Sequence, residues 1–130
     1  MVTEVVSIIT AINHITLVVK SLERTTNFLK TIFDAKEVYS SSTAKYLLIN
    51  DLWIALNKGE SMVERTYNHI AFTIQEKDYD EYVERINKAN GEMTQGRTRI
   101  DGEGRSIYFY DYDNHLFELH TSTLEERLKL

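Results

Sequence analysis

The chain has 130 residues, 42% hydrophobic and 27% charged, and a formal net charge of -5. Such a length buries a core without staples, and the composition is that of an ordinary single globular domain. The absence of cysteine excludes a disulfide framework and a cysteine nucleophile, so any thiol in the chemistry must come from outside; the acidic balance argues against a nucleic-acid partner.

The first residues, "MVTEVVSIITAI", are apolar but too short to span a membrane. They lack the basic region and small-residue cleavage site of a signal peptide, so a cytoplasmic protein with no membrane partner is expected. "NHITLVV" (13–19) is short, alternating and β-branched, a strand. Ser21 then caps a helix on which Leu22, Thr25, Phe28, Leu29 and Ile32 fall near helical spacing. "KEVYSSS", "AKYLLIND" and "LWIALN" follow as three short strands. "YNHIAFTI" (67–74) restarts the pattern. "EKDYDEYVERINKANG" is a second helix, with Tyr79, Tyr82, Val83 and Ile86 on one stripe and Gly91 as its stop. "EMTQGR", "RSIYFYDY" and "HLFELHT" give three more strands.

The order is strand, helix, three strands, twice, within a single domain spanning 1–130. Unit one covers about 12–58 and unit two about 67–122, with a tail at 123–130. The units begin alike: Asn13-His14-Ile15 and Asn68-His69-Ile70. The shared element order, more than the three shared residues, marks a duplication of one supersecondary unit.

Within "RSIYFYDYDNHLFELH" (105–120), Glu118 sits at the centre of a strand among Leu116, Phe117 and Leu119. A buried lone carboxylate costs several kcal/mol unless it is paired or bound to a metal. His14 and His69, equivalent in the two units, are its natural partners. Two imidazoles and one carboxylate are a usual set for a divalent transition metal with open coordination positions. The counterpart of "LFEL" in unit one reads as "LWIA" (52–55), which sets Ile54 where Glu118 stands and leaves one carboxylate for the pair of histidines. His115, after the turn, reads as solvated. His120 shares the face of Glu118 but lies at the strand end, outside the ligand set.

The duplicated unit with "NHIT", "YNHIAF" and "LFELH" resembles the vicinal oxygen chelate superfamily, which includes glyoxalase I and extradiol dioxygenases. More narrowly, "ERTYNHIAF" (64–72), "EGRSIYFYDYDNHLFELH" (103–120) and "TLEERLK" (123–129) resemble the epoxide hydrolase branch of the fosfomycin-resistance proteins. The resemblance implies an α+β fold in which two tandem βαβββ units form a cupped mixed sheet in a domain-swapped homodimer. It implies Mn²⁺, with other divalent transition metals possible, on His14, His69 and Glu118, the set reached above. His14 would come from one chain and His69 with Glu118 from the other. It implies fosfomycin, a phosphonate carrying an epoxide, as substrate, and ring opening by water. A thiol transferase and a non-catalytic binding protein of the same fold are the alternatives.

Thr16 matches the hydroxyl beside the epoxide in that family, and Ser106 and Tyr108 match positions that contact the substrate. Trp53 matches an aromatic residue lining the pocket, and Tyr67 is a further donor. Arg97, Arg99 and Arg105 cluster in "GRTRIDGEGR" as cations for the phosphonate, and Arg127 matches an arginine that holds the anion. Glu126 matches a hydrolase residue near the site that could assist a water. One departure stands out. Water is a poor nucleophile at neutral pH and calls for a general base. Where the hydrolase branch carries a glutamate for this, "STAKYLLIND" has Ala44, and the preceding loop is shorter.

Overall fold

The computed structural model describes residues 8–95 and 104–129. The elements run β1 (His14–Val19), α1 (Leu22–Phe33), β2 (Lys36–Ser40), β3 (Ala44–Ile49), β4 (Leu52–Lys58), β5 (His69–Thr73), a short 3₁₀ turn (Glu76–Asp78), α2 (Tyr79–Lys88), β6 (Glu92–Thr94), β7 (Ser106–Tyr110), β8 (Leu116–His120) and α3 (Leu124–Leu128). The strand–helix–three-strand order occurs twice. Each unit makes its own four-stranded sheet, ordered β1-β4-β3-β2 and β5-β8-β7-β6. In both, the first strand is an edge strand paired parallel to the last, and the other pairs are antiparallel.

Alternation along the strands decides which face is buried. Ile15, Leu17 and Val19 of β1 turn inward with Ile54 and Leu56 of β4, while His14, Thr16 and Val18 lie on the other, open face. β5 repeats this, with Ile70 and Phe72 inward and His69, Ala71 and Thr73 outward. Helix α1 starts as the sequence predicts: the Ser21 hydroxyl accepts the Arg24 N–H at 3.2 Å. Its Phe28, Leu29 and Ile32 are buried, and they reach unit two. Phe28 meets Phe109, and Phe33 meets Phe72 at 4.8 Å and Phe117 at 5.9 Å between ring centroids. One core therefore serves both units. Truncating a phenylalanine in such a core typically costs about 3–5 kcal/mol.

Asp113, fully buried, ties the units together. Its Oδ1 accepts the Lys20 N–H at 2.9 Å and the Ser61 hydroxyl at 2.5 Å, joining unit one and the connecting segment to the β7–β8 turn. Arg65 adds a bidentate pair to Glu92 at 2.6 and 3.0 Å and lies over the Tyr110 ring.

Two local expectations are corrected. α2 is stopped by Asn90, which takes the left-handed conformation at φ 60°, and not by Gly91. Gly91 is required for a different reason: a Cβ there would stand 2.8 Å from the Ile86 side chain. His115 is not solvated. Its Nδ1 bonds Asp111 Oδ2 at 2.7 Å and its backbone N–H bonds Asp111 Oδ1, because the tight Asp111–Asn114 turn folds the imidazole back onto a buried carboxylate.

Candidate active site

The open face of the second sheet carries a pocket of about 350 Å³. His69 begins β5, and Glu118 is central on the neighbouring β8, two residues beyond Leu116, the residue paired with His69. Their side chains meet there: His69 Nε2 lies 2.9 Å from Glu118 Oε1. The other His69 nitrogen, Nδ1, donates to the Tyr67 carbonyl at 2.6 Å. A backbone acceptor on one ring nitrogen sets the ring's orientation and leaves the other for a ligand bond, as in most metal-bound histidines. Glu118 is buried in a strand whose preceding residues are apolar; His69 lies at its Oε1, and Ser106 with the more distant His120 at its Oε2. Hard oxygen beside imidazole nitrogen suits a divalent transition metal.

Around this pair stand groups that fit an anion. Tyr108 pairs with Glu118 across β7 and β8, and its hydroxyl shares a hydrogen bond with that of Tyr67 at 3.0 Å. Burial, then the Tyr67 bond and the Glu118 charge, push the Tyr108 phenol well above the ordinary tyrosine range, so it remains a donor. Ser106 and Arg127 also border the pocket. Arg127 sits on α3, whose start is set by a capping box: Thr123 Oγ1 accepts the Glu126 N–H, and Glu126 Oε1 accepts the Thr123 N–H at 3.1 Å. Glu126 is thus occupied with the cap and does not line the pocket.

The open face of the first sheet holds His14, Thr16 and Trp53. His14 Nδ1 is bonded to Asn13 Oδ1 at 2.7 Å, again leaving Nε2 for a ligand. The imidazole packs on Trp53 at 4.3 Å, and Trp53 packs on Tyr46. The buried Trp53 Nε1 has no hydrogen-bond acceptor among the described residues. His14 does not line the pocket of His69 and Glu118, and no group of three metal-binding side chains forms among the described residues of one chain.

The register corrects the assumed counterpart of Glu118. His14 pairs with Trp53 and Thr16 with Ala55; His69 pairs with Leu116 and Ala71 with Glu118. Ala55, not Ile54, therefore occupies the equivalent position, and Ile54 is a core residue with no exposure. A one-residue slip moves a side chain to the opposite face of a sheet, and the local pattern of "LWIA" does not exclude it. Ala44 begins β3 on this open face, opposite Asn57, and its N–H is tied to Ser41 Oγ in a tight turn.

Arg97 and Arg99 lie outside the described residues. Arg105 does not line the pocket: it is paired with Glu76 at 2.7 Å and lies over the Tyr79 ring at 3.7 Å. Sequence reasoning set His120 aside and missed Ser122. Ser106 Oγ lies 2.6 Å from both Glu118 Oε2 and His120 Nδ1, and His120 Nε2 lies 2.8 Å from Ser122 Oγ. The signal was present, since His120 falls two residues past Glu118 on the same strand face.

Comparison with known proteins places this geometry. The model of the Glyoxalase/Bleomycin resistance protein/Dioxygenase superfamily matches residues 11–119. The fosfomycin resistance protein FosX of Listeria innocua is 59% identical over 128 residues, covering 93% of this chain and 96% of that protein. The metallothiol transferase FosB of Staphylococcus saprophyticus is 40% identical over 124 residues, covering 92% and 82%. A crystal structure of a mutant FosX from Listeria monocytogenes, complexed with Mn(II) and 1S,2S-dihydroxypropylphosphonic acid, superposes with a TM-score of 0.90 at 59% identity, over 94% of this chain and 98% of that one.

Proposed function

The chain belongs to the glyoxalase/bleomycin resistance protein/dioxygenase superfamily, and we propose that within it this protein opens the epoxide of fosfomycin in a metal-dependent reaction, with water as nucleophile, and so confers resistance to that antibiotic. The observation that carries the reading is the His69–Glu118 pair, one nitrogen and one oxygen 2.9 Å apart, at the floor of a pocket ringed by anion donors. The FosX structure with Mn(II) holds a diol phosphonate, and a diol is what water adds to an epoxide to give.

Mn²⁺ is the proposed metal, on His69 Nε2, Glu118 Oε1 and His14 of the partner subunit. When bound it supplies Lewis acidity at the epoxide oxygen, where ring opening develops negative charge. The chain's own groups hold the rest. Tyr108, Tyr67 and Arg127 donate to the phosphonate, Ser106 holds the Glu118 carboxylate, and the partner's Thr16 and the partner's Trp53 close the pocket beside the partner's His14. Charge-assisted bonds of this kind orient as well as bind.

A homodimer completes the site. β1 and β5 are both sheet edges, and beside them runs an apolar groove of about 600 Å³ lined by Ile12, Ile15, Phe33, Ile70 and Phe72. Ile8, Ile9 and Ile12 are largely exposed next to it. Free edges flanked by apolar surface call for cover. A second copy laid along them would bring the open face with His14 over the one with His69 and Glu118. A cytoplasmic location belongs to the same proposal; no described helix is long and apolar enough to cross a membrane.

Ala44 favours a second reading, in which an external thiol opens the ring. An ionised thiol attacks without help from a protein base, and FosB, a metallothiol transferase, is also similar to this chain. ³¹P NMR of fosfomycin with protein and Mn²⁺, with and without added thiol, tests both. A diol phosphonate formed without thiol establishes hydrolysis. Product only with thiol establishes the transferase. No product in either tube refutes epoxide opening and leaves ligand sequestration.

A further inference from the structure

We infer that His120, acting through Ser106, is a positioning residue that fixes which oxygen of Glu118 is presented to the metal; this rests on the metal-site reading above. A carboxylate only accepts hydrogen bonds, so the 2.6 Å contact between Ser106 Oγ and Glu118 Oε2 consumes the single proton of Ser106. Ser106 Oγ then has only lone pairs for His120 Nδ1, also at 2.6 Å, and Nδ1 must carry a proton. In the neutral imidazole this makes Nε2 an acceptor, and the Ser122 hydroxyl at 2.8 Å supplies it. The chain runs one way: Ser122 donates to His120, His120 to Ser106, and Ser106 to Glu118 Oε2. Oε1 is left facing His69 Nε2.

The fold builds this line deliberately close. Ser106 and His120 are direct cross-strand partners in β7 and β8. Ser122 is held just beyond β8, where Gly104, at φ 79°, passes so near that a Cβ would lie 2.8 Å from Thr121 Oγ1 and 3.0 Å from Ser122. The Arg105 N–H donates to Thr121 Oγ1 at 2.8 Å and fastens the same corner. Without His120, the Ser106 hydroxyl can rotate away, Glu118 Oε2 is freed, and Glu118 loses its single orientation. Partners of ligating side chains typically contribute 10- to 100-fold in metal affinity.

The test is Mn²⁺ affinity, read by EPR titration of the purified metal-free protein, independent of turnover. His120→Leu and Ser106→Ala should each weaken binding by about 10- to 100-fold. The double variant should be little weaker than Ser106→Ala alone, since the short contact of His120 Nδ1 is to that hydroxyl at 2.6 Å, while its direct distance to Glu118 Oε2 is 3.4 Å. His120→Asn, whose amide N–H replaces the Nδ1–H, should restore most of the affinity. Ser106→Ala, the smaller change, carries the test if His120→Leu fails to fold. Undiminished Mn²⁺ affinity in His120→Leu, or losses that add in the double variant, overturns the inference while the site reading stands. Wild-type protein that binds no Mn²⁺ overturns the site reading and the inference with it.

Discussion

The open face of the first sheet and that of the second carry a histidine at the same place, yet only the second sets a carboxylate beside it. His14 and His69 both start an edge strand, and both have Nδ1 held by a neighbouring oxygen. Past that point the faces diverge. Beside His14 the equivalent of Glu118 is Ala55, and the imidazole rests on Trp53. Beside His69 stand Glu118, Ser106, Tyr108 and His120, linked by hydrogen bonds. The inward faces of both sheets remained apolar, because any polar change there would break the shared core. Duplication thus supplied two scaffolds, and the outward face was where they could differ: one keeps a histidine against an aromatic wall, the other keeps a histidine, a carboxylate and the hydroxyls beside them.

The strongest way to break this comparison is to remove a proposed ligand from either face. Glu118→Ala and His14→Ala should each lower turnover by about three orders of magnitude, measured as epoxide loss with Mn²⁺. His14 should matter as much as Glu118 even though it contacts nothing in the pocket of its own chain. Mixing the two inactive proteins under subunit exchange should restore about a quarter of the wild-type activity, because half the dimers are mixed and each has one intact site of two. A mixture that stays inactive would show that the two faces do not cooperate across chains.

A smaller effect concerns the first face alone. Ala44→Glu places a carboxylate at the rim of that face, and thiol-independent hydrolysis should rise by about 100-fold, within the usual range for a general base. An unchanged rate would locate water activation elsewhere. Glu126→Gln examines the other candidate: glutamine preserves the capping box, so a fall in rate without loss of stability would assign the carboxylate a part in the reaction.

Two predictions sharpen the contrast between inward and outward residues. Asp113→Ala removes the buried tie between the units and leaves the Lys20 N–H and the Ser61 hydroxyl without an acceptor. It should cost about 2 kcal/mol in urea unfolding while leaving Mn²⁺ affinity unchanged. The smallest effect is the exposed Arg65–Glu92 pair. The hydrogen bond from Arg65 holds the Glu92 carboxyl below its usual range. A carboxyl lowered by folding stabilises the native state fully above its unfolded pKa, and this is lost as pH falls through the folded value. Arg65→Ala should therefore narrow its stability gap from wild type below about pH 4, in urea titrations across pH.

Much of this molecule was legible in the residues alone. The element order, the repeat, the cap at Ser21 and the isolated carboxylate in an apolar strand follow from periodicity and residue chemistry, which are local properties of the chain. The trio of His14, His69 and Glu118 could be named because the repeat aligns the histidines and burial makes Glu118 conspicuous. Its arrangement could not, since the two histidines lie on different sheets. Only the fold decided that Ala55 mirrors Glu118, because strand register depends on pairing across 40 or so residues of chain and not on the pattern within one strand. Only the fold showed Arg105 spent on Glu76, Glu126 on its own helix, and His115 on Asp111. And only the fold joined Ser122, His120, Ser106 and Glu118 into one directed line, because hydrogen bonds between side chains are set by ångström-scale placement, which the alternation of a strand does not encode.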